Sequence, residues 1–187
     1  MTYKVDVQPK LSIFHKSVLN NAMLISLIAI GVALIPTIMG VQTDQMFVGL
    51  FNLGSYVAYI VILTYAIKQY RDVELSGSMS FGKGFLYIFY IYIIVGIVQA
   101  IFTYIQLKYI DPGMLNEVLN QQLSEFEKSG KSEEEIEIMR SVYESFKSPG
   151  VSALTALFGF LIMGAVLGVI FGLIFQREKP YSDNLEN

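Results

Sequence analysis

The side chains able to do chemistry are few, and their spacing serves it poorly. The chain of 187 residues has no Cys and a single His, His15. Without thiols there are no disulfides, thiol nucleophiles or thiolate metal sites, and one imidazole excludes any centre that needs two. Gly130-Lys131-Ser132 has the ending of a phosphate-binding loop, but that pattern needs Gly five positions before Gly130, where Glu125 stands. Glu133-Glu134-Glu135 with Glu137 is acidic enough to suggest a divalent cation. No Asp/Asn-Gly loop of the calcium-binding kind accompanies it, and a solvated helix start accounts for such a run. No Gly-x-Ser-x-Gly elbow occurs. The expectation is a protein that is not an enzyme, with no cofactor and no metal.

The elements that would have to position a site explain this poverty. Hydrophobic residues make up 53% of the chain and charged residues 16%, against about 45–50% and about 25% in soluble domains. Residues 18–39, 47–67, 86–107 and 151–175 are each long and apolar enough to cross a bilayer, which takes roughly 20 residues. About half the chain is span, so a soluble globular enzyme is excluded. None of the four stretches contains Asp, Glu, Lys, Arg or His. Intramembrane ionisable groups mark ion pathways and proton relays, so a proton-coupled pump, a metalloprotease and a membrane hydrolase are all disfavoured. The first apolar run is longer than a signal-peptide core and ends Ile38-Met39-Gly40, which reads as a retained helix. Pro36 is expected to kink or end it.

Neutral polar residues remain in the spans. Tyr92, Gly96, Gln99, Thr103 and Gln106 share one helical face, and so do Asn52, Ser55, Tyr56 and Tyr59. Asn20 and Asn21 stand near the start of the first span. Such groups serve as glue between helices. Alternatively Asn52, Tyr56, Tyr92, Gln99, Thr103 and Gln106 line a polar groove for a lipid headgroup or small solute. Gly164, Gly168 and Gly172 repeat Gly-x-x-x-Gly in the fourth span, a face that lets another backbone approach closely. The neighbour is either another span or a second copy. Tyr70, Tyr87 and Tyr109 near span ends fit interfacial anchoring.

Residues 111–150 are organised. Asp111-Pro112-Gly113 is a turn, and Leu115, Val118, Leu119, Leu123 and Phe126 then repeat at helical spacing. Ser129-Gly130-Lys131 breaks that pattern. Ser132 and Glu135 form a capping-box signature, followed by a second apolar face at Ile136, Met139, Val142, Tyr143 and Phe146. Ser148-Pro149-Gly150 ends it. Two amphipathic helices therefore join spans three and four. They bury each other's stripe or lie on the membrane, or they offer a docking surface. Nine acids against four bases in this loop argue against adhesion to anionic lipid.

Loop charges set the orientation. Lys4, Lys10, Lys16, Lys68, Arg71, Lys83, Arg177 and Lys179 fall on one side, and residues 40–46 carry no base. Lys108, Lys128, Lys131, Arg140 and Lys147 lie in or beside the acidic third loop and weigh little. By the positive-inside rule both termini are cytoplasmic. No basic tract suited to phosphate neutralisation is present, so nucleic acid is not an expected partner.

The second loop, residues 68–84, contains Gln69-Tyr70-Arg71-Asp72-Val73-Glu74 and, further on, Met79-Ser80-Phe81-Gly82-Lys83-Gly84. Tyr70, Arg71, Asp72, Ser80, Phe81 and Gly82, together with the Ile110-Asp111-Pro112 exit and the helical third loop, resemble a bacterial family of four-span proteins, domain of unknown function 4199. The resemblance covers most of the chain. It implies a bacterial inner-membrane protein with no activity to carry over. Physically, Ser80 is placed to cap the third helix. Arg71 either pairs locally with Asp72 and Glu74 or joins Lys68 in holding lipid phosphates.

The fold expected is all-α: a single integral membrane domain over residues 1–187, a bundle of four transmembrane helices with a two-helix amphipathic hairpin outside. The function expected is an accessory, scaffold or assembly subunit in contact with the bilayer, with a second copy or another membrane protein as partner. The alternative is a small transporter or lipid-binding carrier.

Overall fold

In a computed structural model, residues 9–39 and 45–177 are described. The first connection, Lys4 and Lys179 lie outside the described residues, as do the side chains of Lys10, Pro36 and Val118. The described chain is all-helical: α1 (Pro9–Met39), α2 (Gln45–Gln69), α3 (Phe81–Ile105), α4 (Met114–Lys128), α5 (Glu133–Phe146) and α6 (Pro149–Phe175). One turn of π-helix extends α2 (Tyr70–Glu74) and another extends α3 (Gln106–Ile110). Four segments can cross a membrane: Phe14–Ile35, Gly49–Glu74, Phe81–Ile110 and Pro149–Phe175. The first has 22 residues and at 1.5 Å per residue reaches about 33 Å, enough for a hydrocarbon core of about 30 Å.

The helices run further than their apolar stretches, and the 68–84 loop must be corrected. The chain stays helical through Tyr70-Arg71-Asp72 to Glu74, so the connection shrinks to residues 75–80. The reason is local. The Leu75 amide donates to the Tyr70 carbonyl (3.1 Å) and the Gly77 amide to the Arg71 carbonyl (2.9 Å), while Tyr70 is buried. Span three likewise begins at Phe81, because the Ser80 carbonyl accepts from the Lys83 and Gly84 amides (3.1 and 3.2 Å). Pro36 does not end α1, which continues to Met39. The missing amide removes one intrahelical bond, and α1 runs on for one more turn beyond it.

Two compact units divide the chain. The first lies within Met1–Val95 and Phe160–Asn187. Its core joins Val18, Ala22 and Ile25 of α1 to Leu63, Ala66 and Ile67 of α2, to Tyr87, Ile88, Ile91 and Val95 of α3, and to Phe171 of α6. In the connection Ser76 (φ 56°) and Gly77 (φ 82°) are both left-handed, which turns the chain sharply. Met79 then pairs with Arg177 beyond α6, with amide-to-carbonyl distances of 2.9 and 2.8 Å.

The second unit is Gly96–Gly159, and its hairpin follows the sequence closely. Gly130 (φ 75°) ends α4: the Lys131 amide donates to the Phe126 carbonyl and the Gly130 amide to the Glu127 carbonyl, both at 3.2 Å. This double closure needs a left-handed residue, which glycine supplies without a Cβ clash. At the start of α5 the Glu135 amide donates to Ser132 Oγ (3.3 Å), and the Ser132 amide donates to Glu135 Oε2 (3.0 Å). The Ser132 amide, and then Lys131, hold the Glu135 carboxyl below its usual range. A depressed value means that the charged form favours the fold. Its contribution is present above the ordinary carboxylate pKa of about 4.3 and is lost as pH falls through the lower folded value. Hydrogen exchange should therefore show the first turn of α5 opening on acidification below about pH 4. Glu135→Gln should flatten that dependence, and an unchanged profile in the variant would remove the capping box as its cause.

Candidate functional site

The six polar-groove candidates do not converge on one site within either unit. Asn52 and Tyr56 are exposed on α2. Tyr92 is buried and serves packing, since a Cβ built on Gly164 would overlap its Cβ. These three belong to the first unit; Gln99, Thr103 and Gln106 belong to the second. There Gln99 and Gln106 are buried and Thr103 is half-buried. Gln106 Nε2 donates to Met114 Sδ (3.5 Å). Ser55 Oγ donates to the Phe51 carbonyl of its own helix (2.8 Å), a common outlet for a hydroxyl in an apolar helix.

The glycine face has its neighbour within the chain. A Cβ on Gly168 would meet Phe85 Cδ2 at 2.9 Å and the Phe85 carbonyl oxygen at 3.1 Å. On Gly172 it would meet Phe81 Cδ2 at 3.0 Å and the Phe81 carbonyl oxygen at 3.1 Å. The repeat therefore seats α6 on the aromatic column Phe81, Phe85 and Tyr92 of α3. Phe81 belongs to this contact, while exposed Gly82 has open space around it.

The Tyr70-Arg71-Asp72 turn resolves into two roles. Arg71 grips Asp72 with Nε at 2.7 Å and Nη2 at 3.1 Å, so its pairing is local. Arg177 and Lys68 add to the positive field at Asp72, and Lys68 Nζ lies 5.9 Å from the centre of the Phe175 ring. Tyr70 instead faces inward and stacks on Tyr87, with centroids 4.3 Å apart and planes within 5°. Phe14 closes this cluster at 5.4 Å from Tyr70, 5.9 Å from Tyr87 and 6.1 Å from Tyr90. The Tyr87 hydroxyl is 2.7 Å from Ser17 Oγ and accepts from Asn21 Nδ2 at 3.4 Å. Asn21 also donates to the Ser17 carbonyl (2.9 Å). This is polar glue between α1 and α3.

Beside the cluster is a cavity of about 770 Å³, lined by Phe14, His15, Val18, Tyr70, Val73, Glu74, Leu75, Tyr90, Ile93 and Ile94. The sequence gives little sign of it. Phe14 and His15 precede the first apolar run, and Glu74 falls in the polar stretch 68–84 that reads as loop. The signal available was the i, i+4 pair of Tyr70 and Glu74, which puts both on one helical face.

Four helices of membrane-crossing length, charged only toward their ends, define a multi-pass helical membrane protein. Residues 20–177 match the family described as protein of unknown function (DUF4199), and the chain belongs to that family. No curated protein and no solved structure matches it.

Proposed function

We propose that the protein is a non-enzymatic accessory or assembly subunit of the bacterial inner membrane, with both termini cytoplasmic, and that its outer hairpin docks another membrane protein. The observation carrying this reading is the uneven burial of the hairpin. Leu119 and Leu123 of α4 are buried, whereas Ile138, Val142 and Phe146 of α5 stay 60%, 48% and 40% exposed. The orientation is supported by Lys68, Arg71, Lys83 and Arg177, which accompany the connection 75–80 and its pairing with the end of α6. A carrier working through Gln99, Thr103 and Gln106 is the weaker reading, because Tyr92 of the same face is occupied by Gly164.

The test is the native mass of the protein extracted gently from its own membranes, alongside a variant carrying Ile138→Ser and Val142→Ser. The expected result is a complex with a second polypeptide that the variant loses. A wild-type chain that runs bare, or only with copies of itself, would overturn the proposal.

A further inference from the structure

The cavity between α1, the π-turn and α3 is graded from polar to apolar. Glu74 and His15 lie at its outer end, at the limits of the second and first spans. Val18 is further into α1 and Ile93 and Ile94 are further into α3, so its inner wall is aliphatic. Its volume, about 770 Å³, falls among those of small-molecule sites, roughly 300–1,000 Å³.

The charge at the outer end is negative. Glu74 is half-buried and takes part in none of the ion pairs among the described residues. Arg71, one turn earlier, is committed to Asp72. Glu74 also closes the π-turn that extends α2, where helix carbonyls add partial negative charge. The aromatic walls Phe14, Tyr70 and Tyr90 suit a cation as well, through their electron-rich faces. A head that ends in an anionic group and offers no cation would be repelled at this position.

We propose that this cavity binds an amphiphile with an aliphatic body and an ammonium head, the ammonium paired with Glu74 and the chain lying along Val18, Ile93 and Ile94. Either a bilayer phosphatidylethanolamine or a free long-chain amine carries that chemistry. The proposal is independent of the docking role of the hairpin.

The test uses the full chain in vesicles of phosphatidylethanolamine and phosphatidylglycerol, with lipids retained after extraction counted by native mass spectrometry. The wild type should retain phosphatidylethanolamine over phosphatidylglycerol, and Glu74→Gln should lose that preference by about tenfold, the size of one charge-assisted contact. Ile94→Trp, which fills the inner end and leaves Glu74 intact, should abolish retention as well. It keeps the proposal testable if Glu74→Gln fails to fold.

A second arm adds dodecylamine or dodecanol to the extracted protein. Displacement of phosphatidylethanolamine by the amine alone supports the bilayer lipid as occupant. Saturable amine binding that depends on Glu74, without lipid retention, supports the free amine. Equal retention of both lipids with no preference for amine over alcohol, or a folded Glu74→Gln that behaves as wild type, overturns the proposal.

Discussion

Gly164→Leu should leave the protein folded poorly or not at all in detergent, with the largest loss of heat resistance of any single change in α6. A Cβ alone would overlap Tyr92 Cβ and come within 3.1 Å of Tyr92 Cγ. The atom it meets is fixed at the root of a side chain, not at a flexible tip. Tyr92 cannot retreat, because it is 4% exposed and belongs to the core. One step along, Gly168 and Gly172 rest against backbone carbonyls of Phe85 and Phe81, so a shift of α6 that relieved one contact would open the others. Overpacking costs about 1–3 kcal/mol for added methylenes and more where nothing can yield. Gly159→Leu is the control on the same helix, since nothing lies within 4 Å of a Cβ there; a surface-like change of about ±0.5 kcal/mol is expected of it. Size-exclusion after a heat challenge reads both. Equal melting of the two variants would refute the close approach of α6 to α3.

The second large effect is expected at Tyr87, where packing and polarity can be separated. Its ring is fully buried, stacked on Tyr70 and edged by Phe14. Tyr87→Ala should cost about 3–5 kcal/mol, as for other large aromatic truncations. Tyr87→Phe keeps the ring and removes only the hydroxyl that meets Ser17 and Asn21. About 1–2 kcal/mol is expected from that loss, and about 2–4 °C of melting temperature per kcal/mol for a chain of this size. The double variant Tyr87→Phe with Ser17→Ala should be less destabilised than the sum of the single changes, because both remove one contact. Full additivity would show that the hydroxyl bonds elsewhere.

What could be read in advance follows from the range of the forces involved. The spans are legible because lipid demands unbroken apolar length, and the hairpin is legible because Ser132, Glu135 and Gly130 carry short-range backbone chemistry. The π-turns are not, since Tyr70-Arg71-Asp72 is charged and polar and reads as loop until Tyr70 is seen buried against Tyr87. Gly164, Gly168 and Gly172 announce a close contact but not its partner, which is set by packing with residues some 80 positions away in sequence. Among the groove residues, a shared face on α3 holds as periodicity, yet Tyr92 is claimed by α6. The cavity is illegible for the same reason: its walls come from three elements, and Glu74 reads as loop.

The pairing of Met79 with Arg177 and the seating of α6 on Phe81, Phe85 and Tyr92 also have a consequence in time. Translation delivers the aromatic column well before the glycines that cover it. At about 5–20 residues per second that column waits several seconds for its lid, facing lipid in a half-built unit. The fourth span thus completes the packing of this column. A chain that stops before Phe160 leaves these rings uncovered and the 75–80 turn without its pairing to Arg177.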